Sequence, residues 1–153
     1  FPRNILVIFY LSFFKIFSSN FFYNKAWRIN LKNNFNCVIK SYEDENMVNL
    51  LAEEIRFFSQ KVLKNNCKPL VIIFPYLKDI NYITGSDKVF YQNLINKISV
   101  FTDYIDLSEQ IRKKRNVKRL FVNSFYGGHL SKNGNKIIAN IIHSFLKKKF
   151  RTI

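Results

Sequence analysis

Apolar positions along this chain follow two rhythms, short continuous runs and helical stripes, and they alternate. Ile5-Leu6-Val7-Ile8-Phe9-Tyr10-Leu11 is a continuous run. Its β-branched and aromatic content predicts a strand buried on both faces. A membrane span is a poor fit, because Lys15 interrupts the run before the roughly 20 apolar residues a helix needs. Residues 16–37 mix aromatics with Ser, Asn and Lys and predict an irregular excursion. From Asp44, the residues Met47, Leu51, Ile55, Phe58 and Val62 recur at helical spacing, with Glu53, Glu54, Arg56 and Lys61 off the stripe. Glu43-Asp44-Glu45 places negative charge at the start of that helix, where the backbone dipole favours it. Leu70-Val71-Ile72-Ile73-Phe74 then predicts a buried strand stopped by Pro75.

The pattern continues in the same alternation. Asn81 to Ser86, with Gly85, reads as a loop, and Ser86 as the cap of a helix through Phe90, Leu94, Ile95 and Ile98. Val100 to Leu107 predicts a third strand and its exit, followed by a short helix capped by Ser108. Leu120-Phe121-Val122 is a brief extended piece. The closing helix carries Ile137, Ile138, Ile141, Ile142 and Phe145, with Ser131 as its N-cap and Lys147-Lys148-Lys149 at its end. Strands alternating with helices predict a single α/β domain over residues 1–153, with a parallel sheet covered by helices on both faces. Active residues in such sheets lie at the carboxyl ends of the strands, which is where Pro75-Tyr76, Asp106 and His129 fall.

Composition narrows the class of protein. A length of 153 residues, with 48% hydrophobic and 17% aromatic content, excludes a disordered chain and suffices for a sizeable core. Formal net charge is +15, from 25 Lys and Arg against 10 Asp and Glu. Such a field draws anionic polymers or membrane surfaces. The joint abundance of Lys, Asn, Ile and Phe is also what an AT-rich coding sequence produces, which halves the weight of the charge. The densest positive run, Arg112-Lys113-Lys114-Arg115 followed by Lys118-Arg119, reads first as a solvated helix face and second as a contact for an anionic polymer or a membrane surface. No nucleic-acid motif accompanies it, so nucleic acid is not the expected partner. Cys37 and Cys67 lack metal spacing and read as two reduced thiols. His143 sits among apolar helix positions as a structural residue. Asp103 and Asp106 read as strand-end capping groups. No metal and no cofactor is expected. The first residue, Phe1, reads as the start of a fragment or of a processed chain.

The chemistry converges on Phe125-Tyr126-Gly127-Gly128-His129-Leu130-Ser131. Two glycines allow a sharp turn and close approach of a substrate. A neutral imidazole can take a proton near pH 7. Three pieces of the chain now align: the strand Leu70–Tyr76, the strand ending Tyr104-Ile105-Asp106-Leu107-Ser108, and the block Gly127-Gly128-His129-Leu130-Ser131 with its tail Asn133-Gly134-Asn135-Lys136-Ile137-Ile138-Ala139. Over residues 70–146 they resemble the C-terminal half of the SGNH (GDSL-type) hydrolase superfamily. This resemblance implies a three-layer α/β/α, flavodoxin-like fold, incomplete at its N-terminus, and chemistry on ester or O-acyl groups. It implies that His129 is the general base of a serine nucleophile.

The chain departs from that pattern in informative ways. It has no Gly-Asp-Ser block, and Leu11-Ser12-Phe13-Phe14 stands where an oxyanion Asn would follow the first strand. Tyr126, not Asp, lies three residues before His129. Asn123, Ser124, Tyr126, Gly127 and Gly128 are the supporting candidates around the base. The expected function is therefore an esterase or O-acyltransferase acting on acyl esters, including acylated surface glycans, with its serine upstream of Phe1. The alternative is a binding or assembly module on the same scaffold without chemistry; a basic nucleic-acid-binding domain ranks third. The setting expected is a bacterial cell envelope or cytoplasm, with the compartment and oligomeric state left open.

Overall fold

The computed structural model describes residues 6–11, 35–122 and 128–150. It is mixed α/β and mostly helical. The strands β1 (Leu6–Leu11), β2 (Lys68–Ile73) and β3 (Asp103–Asp106) pair in the order β1-β2-β3 in a small sheet of parallel type. β1 and β2 fall on the apolar runs of the sequence, β2 ending one residue before the expected Phe74, and β3 occupies only Asp103–Asp106 of the expected Val100–Leu107. The helices are α1 (residues 35–43), α2 (Glu45–Lys64), α3 (Leu77–Ser86), α4 (Gln92–Ile98), α5 (Leu107–Arg112) and α6 (Lys132–Lys149), with a 3-10 turn at Val117–Leu120. Among the described residues no helix is long and apolar enough to cross a membrane. Most of the expected excursion, and the supporting candidates Asn123, Ser124, Tyr126 and Gly127, lie outside the described residues.

The chain divides into two compact units. The first comprises Phe1–Val71 with Val89–Asp103. Here α2 begins as its sequence predicts: the Asp44 side chain accepts from the N–H of Asn46 at 2.9 Å and satisfies a donor that the helix itself cannot. The buried stripe is Val48, Ala52, Ile55, Ser59 and Val62; Ile55 and Val62 are as expected, while Val48, Ala52 and Ser59 replace the expected Met47, Leu51 and Phe58, each one residue further along. Met47 is 51% exposed. Helix α2 packs on α4, and its buried face includes the small residues Ala52 and Ser59, whose size permits close approach between helices. Glu45 fastens the two helices from outside, accepting from Lys97 Nζ at 2.7 Å and Asn93 Nδ2 at 2.8 Å. Those contacts, Lys97 first, hold its carboxyl below the usual range. Tyr42, Phe90 and Tyr91 meet edge to face, the last two with centroids 4.9 Å apart.

The second unit comprises Ile72–Lys88 with Tyr104–Ile153. Its core holds Ile72, Ile73, Ile80, Ile83, Ile105, Leu107, Ile111, Leu120, Phe121 and Ile138. Three expectations are corrected here. Residues 81–86 form the second half of α3 rather than a loop, because Ile80 and Ile83 bury one face of a helix that packs on α5. Ser86 ends α3 instead of capping the next helix; its Oγ donates to the carbonyl of Tyr82 at 2.8 Å. The cap of α5 is Asp106, whose carboxylate accepts from Ser108 N–H at 2.8 Å, so Ser108 is the donor rather than the capping group. That bond accounts for Asp106 as a strand-end capping residue.

Candidate functional site

His129 is reached through a short ribbon. Phe121 and Leu130 form an isolated antiparallel bridge. Val122 N–H donates to the His129 carbonyl at 2.6 Å, and Ser131 N–H to the Leu120 carbonyl at 2.8 Å. The expected extended piece Leu120–Val122 is borne out only in part: Leu120 closes the 3-10 turn Val117–Leu120, and the extended backbone begins at Phe121. Ser131 performs two tasks at once. Its Oγ accepts from Gly134 N–H at 3.1 Å, which caps α6 as the sequence predicts, and it donates to the Arg119 carbonyl at 3.0 Å. Two glycines set the spacing around the histidine. Gly128 has φ +74°, and a Cβ there would lie 2.8 Å from Leu77 Cβ. At Gly134 a Cβ would run into the carbonyl oxygen of Leu120.

The result is an exposed imidazole on a backbone fixed from both sides. Its ring stands at 68° to Tyr76, with centroids 6.4 Å apart. Tyr76 and Leu77 open α3 just past the end of β2, so two of the expected edge positions, Pro75-Tyr76 and His129, do come together. Among the described residues no carboxylate is bonded to the His129 ring.

One group at this place was not expected from the sequence. Asp79, in the first turn of α3, is 6% exposed and accepts the Tyr76 N–H at 2.7 Å. Burial raises its pKa to about 6, against the opposing pull of the Tyr76 N–H and the charge of Lys78. The signal for it was the spacing Tyr76-x-x-Asp79, a helix-start acid reaching back to the preceding backbone. Tyrosine in place of Ser or Thr conceals that pattern.

The basic run also differs from its first reading. Only Arg112 lies on an α-helix. Its guanidinium pairs with Asp87 at 2.9 Å and Glu109 at 3.0 Å, and Lys113 reaches Glu109 at 3.6 Å. Lys118 and Arg119 are exposed, make no ion pair among the described residues, and sit in the 3-10 turn that leads into the ribbon carrying His129.

The first unit has a groove of about 310 Å³ lined by Arg56, Ser59, Gln60, Leu63, Val100 and Phe101. Ser59 Oγ is buried there with no partner among the described residues, and among those residues no imidazole or carboxylate lines the groove to take its proton. No cluster of three potential metal ligands occurs among the described residues. Cys37 and Cys67 are both free thiols, the first exposed and the second buried. No family model matches the chain, and no curated protein or solved structure matches it either.

Proposed function

We propose that the chain belongs to an SGNH-type esterase or O-acyltransferase of three-layer, flavodoxin-like architecture, with His129 as its general base. The observation that carries this reading is the placement of His129. An exposed imidazole follows a left-handed glycine, sits at the edge where β2 ends, and is held between a β-bridge and a capped helix. In the proposed reaction a serine from outside the described residues attacks an ester carbonyl and gives its proton to His129. The tetrahedral intermediate collapses, and the leaving alkoxide takes that proton. The acyl-serine is then opened by water in an esterase, or by an acceptor hydroxyl, including that of a surface glycan, in a transferase.

The full-length protein should hydrolyse a short-chain acyl ester. His129→Ala should lower kcat by about 10²–10⁴ while leaving the thermal midpoint in place. Unchanged activity in that variant overturns the assignment. The second reading, a binding or assembly module that uses the same scaffold without chemistry, draws on the lack of a carboxylate bonded to His129 among the described residues. It predicts an inactive full-length protein even at high enzyme concentration.

A further inference from the structure

The charge of this chain is distributed unevenly. All 10 acidic residues lie at or before Glu109, and every Asp, Glu, Lys or Arg beyond it is Lys or Arg. AT-rich coding raises lysine everywhere, but it does not remove acids from one stretch. The fold then brings two parts of this stretch, the 3-10 turn and the start of α6, to the ribbon that carries the histidine. Lys118 and Arg119 lead into the ribbon, and α6 packs on their turn with Lys132 and Lys136 in its first two turns. All four are exposed and make no ion pair among the described residues.

Two local rules are broken there. The first turn of a helix disfavours cations, yet α6 starts with Lys132 and no acid. Like charges four residues apart repel, and Lys132 and Lys136 are such a pair. Neither arrangement stabilises the fold. Both become favourable once an anion lies between these side chains. Rule-breaking of this kind concentrates at functional sites.

We propose that Lys118, Arg119, Lys132 and Lys136 bind a phosphate or carboxylate group on the substrate, beside His129. This rests on the acyl-transfer reading above and narrows its substrate class to an ester whose non-reacting part is anionic. The helix terminus itself is not the site; the four cations are.

Binding can be read without chemistry. Inorganic phosphate is titrated into the full-length protein in 50 mM NaCl, and the His129 ring resonances are followed by NMR. Saturable shifts are expected, with a dissociation constant at least about fivefold weaker in Arg119→Glu and in Lys136→Glu, and much weaker in 500 mM NaCl. Lys40→Glu, which changes net charge equally within the first unit, should bind as the wild type does. Ring resonances unmoved by phosphate, or shifts equal in all four proteins, overturn the proposal.

A pair of chromogenic acetyl esters, one neutral and one carboxylated, then reads the consequence. The ratio of their kcat/KM values should favour the anionic ester in the wild type and fall in both reversal variants. A ratio unchanged by the reversals overturns the substrate class and leaves the base assignment standing. No hydrolysis of either ester, with the phosphate shifts intact, overturns the acyl-transfer reading and leaves the anion site standing. Adding phosphatidylglycerol vesicles distinguishes the source: competition at low lipid concentration indicates a headgroup, and its absence a soluble anionic substrate.

Discussion

Replacing Asp79 by asparagine tests the electrostatics at the start of α3. The carboxyl is 6% exposed and accepts one backbone N–H, from Tyr76 at 2.7 Å. Burial is the larger influence and lifts its pKa from 3.8 to about 6 in the folded chain. Between those values the folded state holds a proton that the unfolded state has lost. Stability therefore falls as pH rises through this window, the contribution being complete below about pH 4 and gone above about pH 6–7. The gap from 3.8 to about 6, at about 1.4 kcal/mol for each tenfold change, sets a ceiling of about 3 kcal/mol. The amide of the Asp79→Asn variant cannot ionise but keeps an oxygen for the Tyr76 N–H. The stability of Asp79→Asn minus that of the wild type should thus sit near its baseline at pH 4. It should rise in favour of the variant by roughly 1–3 kcal/mol by pH 7.5. Urea unfolding of both proteins across pH 4–7.5 measures this difference, and other titrating groups cancel in it. A difference that stays flat, or one that moves against the variant as pH rises, refutes the burial argument.

Two further outcomes follow from packing. Gly134→Ala gains about 1 kcal/mol of helix propensity, but its Cβ meets the Leu120 carbonyl, an overpacking worth about 1–3 kcal/mol. The variant should melt below the wild type in a thermal scan, and an equal or higher midpoint would show that the approach of α6 to the 3-10 turn is looser than described. Cys67 is buried, with Sγ donating to the Asn65 carbonyl at 3.3 Å, whereas Cys37 is exposed. A thiol reagent should therefore modify one cysteine quickly in the folded protein and the second only on unfolding; two equally fast thiols would contradict this burial.

Much of this fold is legible as period and punctuation. The apolar runs at Leu6–Leu11 and Leu70–Ile73 lie in strands, the expected Val100–Leu107 holds a shorter strand at Asp103–Asp106, and Asp44 and Ser131 stand at the starts of the helices that the spacing implies. The failures share a cause: tertiary packing outweighed local signals. Gly85 suggested a loop, but nothing crowds that position, and Ile80 with Ile83 suffices to bury one face of α3. In α2 the buried face keeps the expected Ile55 and Val62 but takes the small Ala52 and Ser59 and leaves Met47 exposed, so packing rather than hydrophobicity alone chooses the face. At the candidate site, the sequence located His129 and its cap but could not show that Tyr76 and Leu77 would lie against the loop. Nor could it separate Arg112, neutralised by Asp87 and Glu109, from Lys118 and Arg119, which are not. The first distinction depends on residues remote in sequence, and so does the Asp87 half of the second.

The contrast between Gly134 and His129 bears on how this chain can diverge. Gly134 is required by a neighbouring backbone, whatever the protein does. The imidazole of His129 is exposed and touches only the edge of Tyr76 among the described rings, so the fold asks almost nothing of it. Descendants under selection for folding alone would retain the glycine while the histidine drifted. Descendants under selection for chemistry would hold both. Sampling these two codons across diverging copies would therefore tell a working site from an inherited scaffold, without any assay of the protein.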